Sequence, residues 1–374
     1  MKSPVSLLSS LLMSIKRMDS SVKGLDRDLL TVKHRYEHEG ISFFSVTLCT
    51  LGDALDRGLS DGHFLCPSSF KKKKNSALPA FTWGLLSKVF DSETGMLRDL
   101  PDVLAITELR HLYRLFKKVQ VSPARIERLE REATATFFET DDTLRDHRSD
   151  DSRRDRLFSS VSRLVLPNLE CFRDQVIRSR HGPGAVFEPV KGNQKWESLC
   201  ASLLSGSFDP IDTSLDLFAI CERSDFSQLQ RRSSSGVSKL VFVPKSATAV
   251  RTITVEPLLN QFVQQGLNTV LRDNIKKCCI LSKCLDLNSQ EPNQHLALEG
   301  SITGEWSTLD LKSASDLLSL RLVRLLFESK PDFLSALERS RSSHVLHDDF
   351  CRELHKFAGM GNATTFPVQS IAFA

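Results

Sequence analysis

The feature that most constrains this chain is the stretch Trp306–Asp316, WSTLDLKSASD, where one periodicity gives way to another. From Trp306 to Leu311, bulky apolar and small polar residues alternate with the two-residue period of a half-buried strand. Ser313, Ala314 and Ser315 then make a small-residue turn, and from Asp316 the run LLSLRLVRLLF takes a helical period. The pattern predicts a strand that delivers Asp310 at its end and a helix that starts at Asp316. A carboxylate at such a point is well placed to hold a divalent metal over a phosphate. An ordinary turn acid at Asp310 and a helix N-cap at Asp316 fit the same residues. This stretch alone does not separate the two readings.

A second stretch, Gly359–Gln369, GMGNATTFPVQ, follows a predicted short hairpin in HVLHDDFCRELHKFA. Gly361-Asn362 permits an unusual backbone conformation, and Thr364 and Thr365 offer hydroxyls at a helix start. Pro367 in the first turn agrees with that start. Upstream, Lys239–Glu256, KLVFVPKSATAVRTITVE, places two apolar runs around a polar turn, which predicts a β-hairpin carrying Lys239, Lys245 and Arg251. Cations on a hairpin can neutralise a triphosphate, and arginine binds phosphate oxygens bidentately. Scattered surface charge fits equally well. Pro257 opens a helix with Leu258, Leu259, Phe262, Val263, Leu267, Val270 and Leu271 on one face, a scaffold element. A further helix is expected over Pro331–Arg341.

The N-terminal part is less specific. SLLSSLLMSIKRM is too short to span a bilayer and predicts an amphipathic helix. Lys71–Lys74 is a four-lysine run between Ser and Pro, expected in a loop that is either solvated or in contact with RNA phosphates. Residues 101–135 have a helical period. Thr140–Arg156 is a dense mixed-charge segment, expected as an exposed linker or helix face, and His181-Gly-Pro-Gly184 is a rigid turn, either a plain connection or an approach to a ligand. With 374 residues the chain has room for two or three lobes, and 50 Lys plus Arg against 46 Asp plus Glu leave it only mildly basic, at +4. Nine scattered cysteines form no framework, which suggests a reducing compartment. Cys278, Cys279 and Cys284 cluster without a second pair at zinc spacing, so they are read as core or surface thiols.

Taken together and in this order, the segments VPKSATAVRTITVEP, TLDLKSASD and GMGNATTFPVQS resemble motifs F, A and B of RNA-dependent RNA polymerases. They are most similar to the replicase catalytic (beta) subunit of single-stranded RNA bacteriophages, the levivirus family; HGPGAV and FFSVTLCTLGDALDRGLS share that likeness. The resemblance implies an α+β right-hand polymerase fold. Its N-terminal region and fingers would occupy 1–238, a fingers hairpin and helix 239–300, and the start of a palm 301–374. It implies an RNA-directed RNA polymerase that replicates a phage genome by two-metal nucleotidyl transfer with Mg2+, or Mn2+ in its place. By the same resemblance Asp310 binds the metals and Asp316 helps to recognise the ribose. Lys245 and Arg251, with Lys239, bind the triphosphate, while Gly361, Asn362 and Thr365 form the loop that positions the templating pair and checks the 2′-hydroxyl. The implied partners are RNA, nucleoside triphosphates, host elongation factors Tu and Ts and a ribosomal protein, in the cytoplasm of a bacterial host.

The sequence departs from that pattern in two ways. No Gly-Asp-Asp follows the third segment, so the second metal-binding acid is missing and the expectation is a C-terminally incomplete polymerase, inactive as it stands. His347-Asp348-Asp349 and Asp150-Asp151 are read as solvated turns rather than substitutes. Ala363 stands where relatives often carry a second glycine. Two competing readings are a non-catalytic RNA-binding remnant of a replicase and a reverse transcriptase. The intact Asp310, Asp316 and Arg251 argue against the first, and GMGN with the VPK hairpin against the second.

Overall fold

The computed structural model describes residues 3–119, 122–145, 152–169, 179–204 and 236–374. The fold is mixed α+β, with helices predominating and one four-stranded sheet. The chain divides into two compact units, Met1–Ala133 with Val243–Arg251, and Thr134–Phe242 with Thr252–Ala374. These divisions differ from the segments 1–238, 239–300 and 301–374.

In the first unit, α1 (Pro4–Met18) buries Leu8, Leu12 and Ile15, a stripe at i, i+4 and i+7, as the amphipathic reading expects. It packs with α2 (Leu25–Glu39), α3 (Leu48–Asp61), α4 (Trp83–Val89) and α5 (Val103–Arg114) around Phe43, Phe44, Phe64, Phe81, Phe90 and Tyr113. A π-turn at Phe43–Thr47 leads into α3 and turns both Phe43 and Phe44 into the core. Asp102 caps α5, its carboxylate accepting from the Leu104 and Ala105 N–H groups. The four-lysine run lies in a loop, as expected.

The second unit takes in the C-terminal part of α6 (Pro123–Asp142) together with α7 (Ser152–Val165) and α8 (Gln194–Leu204). Its central helix is α9 (Leu258–Lys277), followed by α10 (Leu281–Cys284), α11 (Glu291–Thr303), α12 (Leu320–Leu326), α13 (Pro331–Ser340) and α14 (Thr365–Phe373). Helix α9 buries Leu258, Phe262, Val263, Leu267 and Leu271 on the predicted face, with Ile275, and α13 packs against it. Polar Gln261, Gln264 and Asn274 are buried on the same helix, which the apolar pattern did not reveal. The predicted hairpin forms as β1 (Gly236–Ser246) and β2 (Ala249–Val255), and the second as β3 (Ser342–His347) and β4 (Phe350–Glu353). The strand order is β2-β1-β3-β4, with β1 parallel to β3 and β3 antiparallel to β4. Asp348-Asp349 is the turn of that second hairpin, as read. Cys278 is buried, and Cys279 and Cys284 are exposed thiols.

Two expectations are corrected. Residues 305–311 form no strand, and Trp306, Leu309 and Leu311 are exposed. Alternation supplies a face but not a neighbour, and among the described residues no strand pairs with this segment, so its backbone has no ladder to join. The following helix begins at Leu320, not Asp316, because Ser319 rather than Asp316 supplies the cap, accepting from the Leu322 N–H at 3.1 Å. The mixed-charge segment is also not wholly solvent-facing. Asp141 is fully buried and Asp142 pairs with Arg145 and Arg352, while 146–151, with Asp150-Asp151, lie outside the described residues.

One buried acid in the first unit has a measurable consequence. Asp28 has no exposed surface, and neither carboxylate oxygen gains a hydrogen bond of good geometry; Arg27 lies 3.8 Å away. Burial pushes its pKa to about 7, only partly offset by the Thr82 N–H and Arg27. Between pH 4 and 7 the unfolded chain has released this proton and the folded chain keeps it, so stability falls as pH rises through that window. Asp28→Asn removes the dependence. Urea unfolding at pH 5 and pH 8 is expected to show a flatter profile and a gain on the order of 2 kcal/mol at pH 8.

Candidate functional site

The site residues nearest the C-terminus form one compact group. Segment 354–364 is largely buried and has only isolated β-bridges, so most of its backbone groups need partners outside a ladder. Asp141, at the end of α6, accepts from the His355 and Lys356 N–H groups at 3.0 and 2.9 Å. The buried Arg341 guanidinium donates to the carbonyls of Phe357 at 2.6 Å and of Leu354 and Lys356, both at 3.2 Å. Phe357 N–H donates to Leu318 O at 2.7 Å, tying the segment to the turn that carries Asp316. Lys356 has no exposed surface. Its ammonium lies 3.1 Å from Asp316 and 3.6 Å from the centroid of the Phe137 ring.

The glycine loop follows directly. Gly361 sits at φ +141°, and a Cβ there would fall 2.1 Å from Thr254 O, so the position needs glycine on two counts. A Cβ at Gly359 would meet Thr254 Cγ2 at 2.3 Å. Thr254 N–H donates to Met360 O at 2.9 Å, which fastens the loop to the end of β2. Asn362 is buried, its Oδ1 accepting from Thr364 N–H and Oγ1 at 2.8 and 2.7 Å. Thr365 Oγ1 donates to Gly359 O at 3.3 Å, and α14 starts there as expected. Gln264 of α9 connects these parts. Its Nε2 donates to Glu256 Oε2 and Ser340 O, and its Oε1 accepts from Ala363 N–H. Glu256, at the foot of the hairpin, also accepts from Ser342 Oγ at 2.7 Å; burial raises its pKa despite these donors.

The remaining predicted residues are placed differently. Lys239, Lys245 and Arg251 are exposed on the β1–β2 hairpin, Lys239 beside Leu346 of β3. The hairpin tip is held in the first unit, where Ala247 N–H donates to Lys117 O at 3.2 Å and Arg125 donates to Ala247 O at 3.0 Å. Lys245 lines a cavity of about 360 Å³ with Lys118, Ile126, Leu129 and Val250. Asp310 is exposed and makes no hydrogen bond or ion pair among the described residues. Among those residues no three His, Cys, Asp or Glu side chains converge. Asp316 already faces Lys356, so the residues here do not by themselves make up a donor set for a divalent metal. The sequence reading missed Asp141, Arg341, Lys356, Glu256 and Gln264. Only Gln264 left a signal, as a polar residue between Val263 and Leu267 on an apolar helix face.

The second unit thus holds a glycine-pinned loop fastened to the end of β2 at Thr254. Comparison with known proteins bears on the segment that contains it. The family profile described as RNA replicase, beta-chain, matches residues 214–374 of this chain. The chain is 33% identical over 211 residues to the RNA-directed RNA polymerase subunit beta of Enterobacteria phage SP, covering 54% of this chain and 34% of the relative. It is 39% identical over 141 residues to the subunit beta of Escherichia virus Qbeta, covering 37% and 23% of the two chains. With the RNA-directed RNA polymerase beta chain of Escherichia phage MS2 it shares 37% over 131 residues, covering 35% and 23%. The match thus spans about a third or less of the length of these curated relatives.

The two loop glycines separate in a double-mutant test. Gly361→Ala and Gly359→Ala are each expected to lower stability in urea unfolding by roughly 3 kcal/mol, the upper range for overpacking with backbone strain. Adding Thr254→Ala should recover part of the Gly359→Ala loss, which comes from a side chain. It should recover none of the Gly361→Ala loss, which comes from a carbonyl oxygen.

Proposed function

We propose that this chain is part of an RNA-directed RNA polymerase that replicates a single-stranded phage RNA genome by nucleotidyl transfer. The single observation that carries this reading is the match of residues 214–374 to the RNA replicase beta-chain family, whose relatives are named RNA-directed RNA polymerases. The hairpin, the Asp310 turn and the glycine loop all fall inside that segment. In this reading the fold is a right-hand polymerase, with N-terminal region and fingers in 1–238, a fingers hairpin and helix in 239–300 and the start of the palm in 301–374.

Lys245 and Arg251, with Lys239, are assigned to the triphosphate. Exposed ammonium and guanidinium groups on a rigid strand can meet phosphate oxygens without first breaking a protein ion pair. Asp316 is assigned to the ribose of the incoming nucleotide, and Gly361, Asn362 and Thr365 to the loop beside the templating pair. A divalent metal, Mg2+ or Mn2+, would supply Lewis-acid stabilisation of charge on the phosphates. Asp310 is the one ligand proposed for it. RNA template and nucleoside triphosphates are the proposed substrates. Elongation factors Tu and Ts and a ribosomal protein are the proposed host partners, in the cytoplasm of a bacterial host. Among the described residues no helix is long and apolar enough to cross a membrane.

The test is Arg251→Ala in a replicase that carries this chain. Removing one preorganised charge-stabilising donor is expected to lower the rate of templated nucleotide incorporation on the order of 10²-fold. Photocrosslinking of labelled GTP to the chain itself should fall in parallel in Lys245→Ala and Arg251→Ala. Near-normal turnover in Arg251→Ala would remove that residue from the site.

A further inference from the structure

The proposed function gives Lys356 no part, although it is the most enclosed cation of the second unit. Its side chain has no exposed surface, and among the described residues its one ion pair is with Asp316, at 3.1 Å. Its backbone is held on both sides. The Lys356 N–H donates to the Asp141 carboxylate at 2.9 Å, and its carbonyl accepts from Arg341 at 3.2 Å. It stands opposite Ser319 in an isolated antiparallel bridge, where Leu320 N–H donates to His355 O at 3.3 Å and Phe357 N–H to Leu318 O at 2.7 Å. The Phe137 ring, with its centroid 3.6 Å from the ammonium, closes another side. The ammonium is thus fixed by its surroundings before any ligand arrives.

Asp316 itself sits in a turn, where Leu317 N–H donates to Ser313 O at 3.0 Å and Leu318 N–H to Ser315 O at 3.4 Å. Its Oδ1 accepts from Lys356. Its Oδ2 makes no hydrogen bond among the described residues and stays open to solvent, the side chain being 18% exposed. A lone carboxylate on a turn samples several staggered rotamers. Tying one oxygen to a fixed ammonium leaves the other with a defined direction. Stability alone does not call for this arrangement. A buried ion pair gains little over apolar side chains of similar volume, and Phe137 already offers an apolar wall.

We propose that Lys356 is a positioning residue that aims the open Asp316 oxygen at the ribose 2′-hydroxyl of the incoming nucleotide, and so governs discrimination against deoxynucleotides. The proposal rests on the assignment of Asp316 to the ribose. An ionised carboxylate only accepts hydrogen bonds, so its partner must bring a donor. The 2′-hydroxyl is such a donor, and a deoxyribose lacks it. A site built to bond a substrate hydroxyl rejects the analogue without it only while the bonding group stays in place. Lys356 keeps it in place without touching the sugar, since its own side chain is wholly enclosed.

The test is the ratio of kcat/KM for GTP to that for 2′-deoxy-GTP in a replicase that carries this chain. Lys356→Met keeps an unbranched side chain and removes the charge. It is expected to lower the ratio about tenfold, less than the ~100-fold that a misplacement of roughly 1 Å can cost. The loss should fall on GTP, while the deoxynucleotide, which makes no such contact, stays near the parent. Asp316→Asn should lower the ratio at least as far, and adding Lys356→Met to it should lower the ratio no further, because the lysine acts through the carboxylate. Phe137→Leu keeps both charges and removes the ring beside the ammonium. It should lower the ratio in the same direction, and it decides the matter if circular dichroism shows Lys356→Met unfolded. An unchanged ratio in the folded lysine or phenylalanine variant, an equal loss for both nucleotides, or additive losses in the double variant overturns the proposal and leaves the ribose assignment standing. An Asp316→Asn variant that keeps the parent ratio overturns that assignment and the proposal together.

Discussion

The second unit depends on how one buried, irregular segment satisfies its backbone. Residues 354–358 leave β4 and meet the turn that carries Asp316 through a single antiparallel bridge, Ser319 with Lys356, rather than an extended ladder. A buried N–H or carbonyl without a partner costs about 1–3 kcal/mol, so several together would prevent the segment from folding in place. Asp141 takes two of its N–H groups and Arg341 takes three of its carbonyls. Two charged side chains from two different helical ends thus satisfy backbone groups that the short bridge to residues 318–320 leaves over. The charges are tolerable because each is hydrogen-bonded to several backbone groups, which offsets part of the cost of burying an ion.

Lys356 extends this network to the turn of the first candidate segment. Its backbone is fixed by Asp141 and Arg341, and its ammonium, wholly buried, has Asp316 on one side and the Phe137 ring on the other. Asp316 is therefore held by a residue that itself has little freedom. The same rigidity passes along the chain into the glycine loop, where Gly359 and Gly361 let the backbone approach Thr254 more closely than any side chain would permit. Gln264 closes the circuit, linking the foot of the hairpin, the end of α13 and Ala363.

What was legible in the sequence follows from the range of the forces involved. Local periodicity and turn chemistry revealed both hairpins, α9, α13 and the start of α14, because each is decided within a few residues. The apolar stripe of α1 was legible for the same reason. The strand at 306–311 was not, since alternation describes a face and a strand needs a partner that lies elsewhere in the chain. The helix cap lies at Ser319, three residues beyond Asp316, because both are good caps by composition and an ion pair with Lys356 engages Asp316. Asp141 looked like one acid in a solvated charge run. Only the fold brings it beneath residues more than two hundred positions away.

The two parts of the proposed site obey opposite rules, and the difference explains why one was easier to find. Lys239, Lys245 and Arg251 lie exposed on strands, where a cation keeps its hydration and needs no partner until an anion arrives. Such residues can be recognised singly, from their charge and their place on a hairpin. Asn362, Thr364 and Thr365 are buried, and Asn362 Oδ1 and the two threonine hydroxyls bond within the loop itself, while Asn362 Nδ2 is buried without a partner. Their geometry exists only because Gly361, Thr254 and Gln264 converge on it from three elements. A motif of the first kind is written in residue types, whereas one of the second kind is written in contacts, and the sequence displays it only as glycines in an otherwise unexplained order.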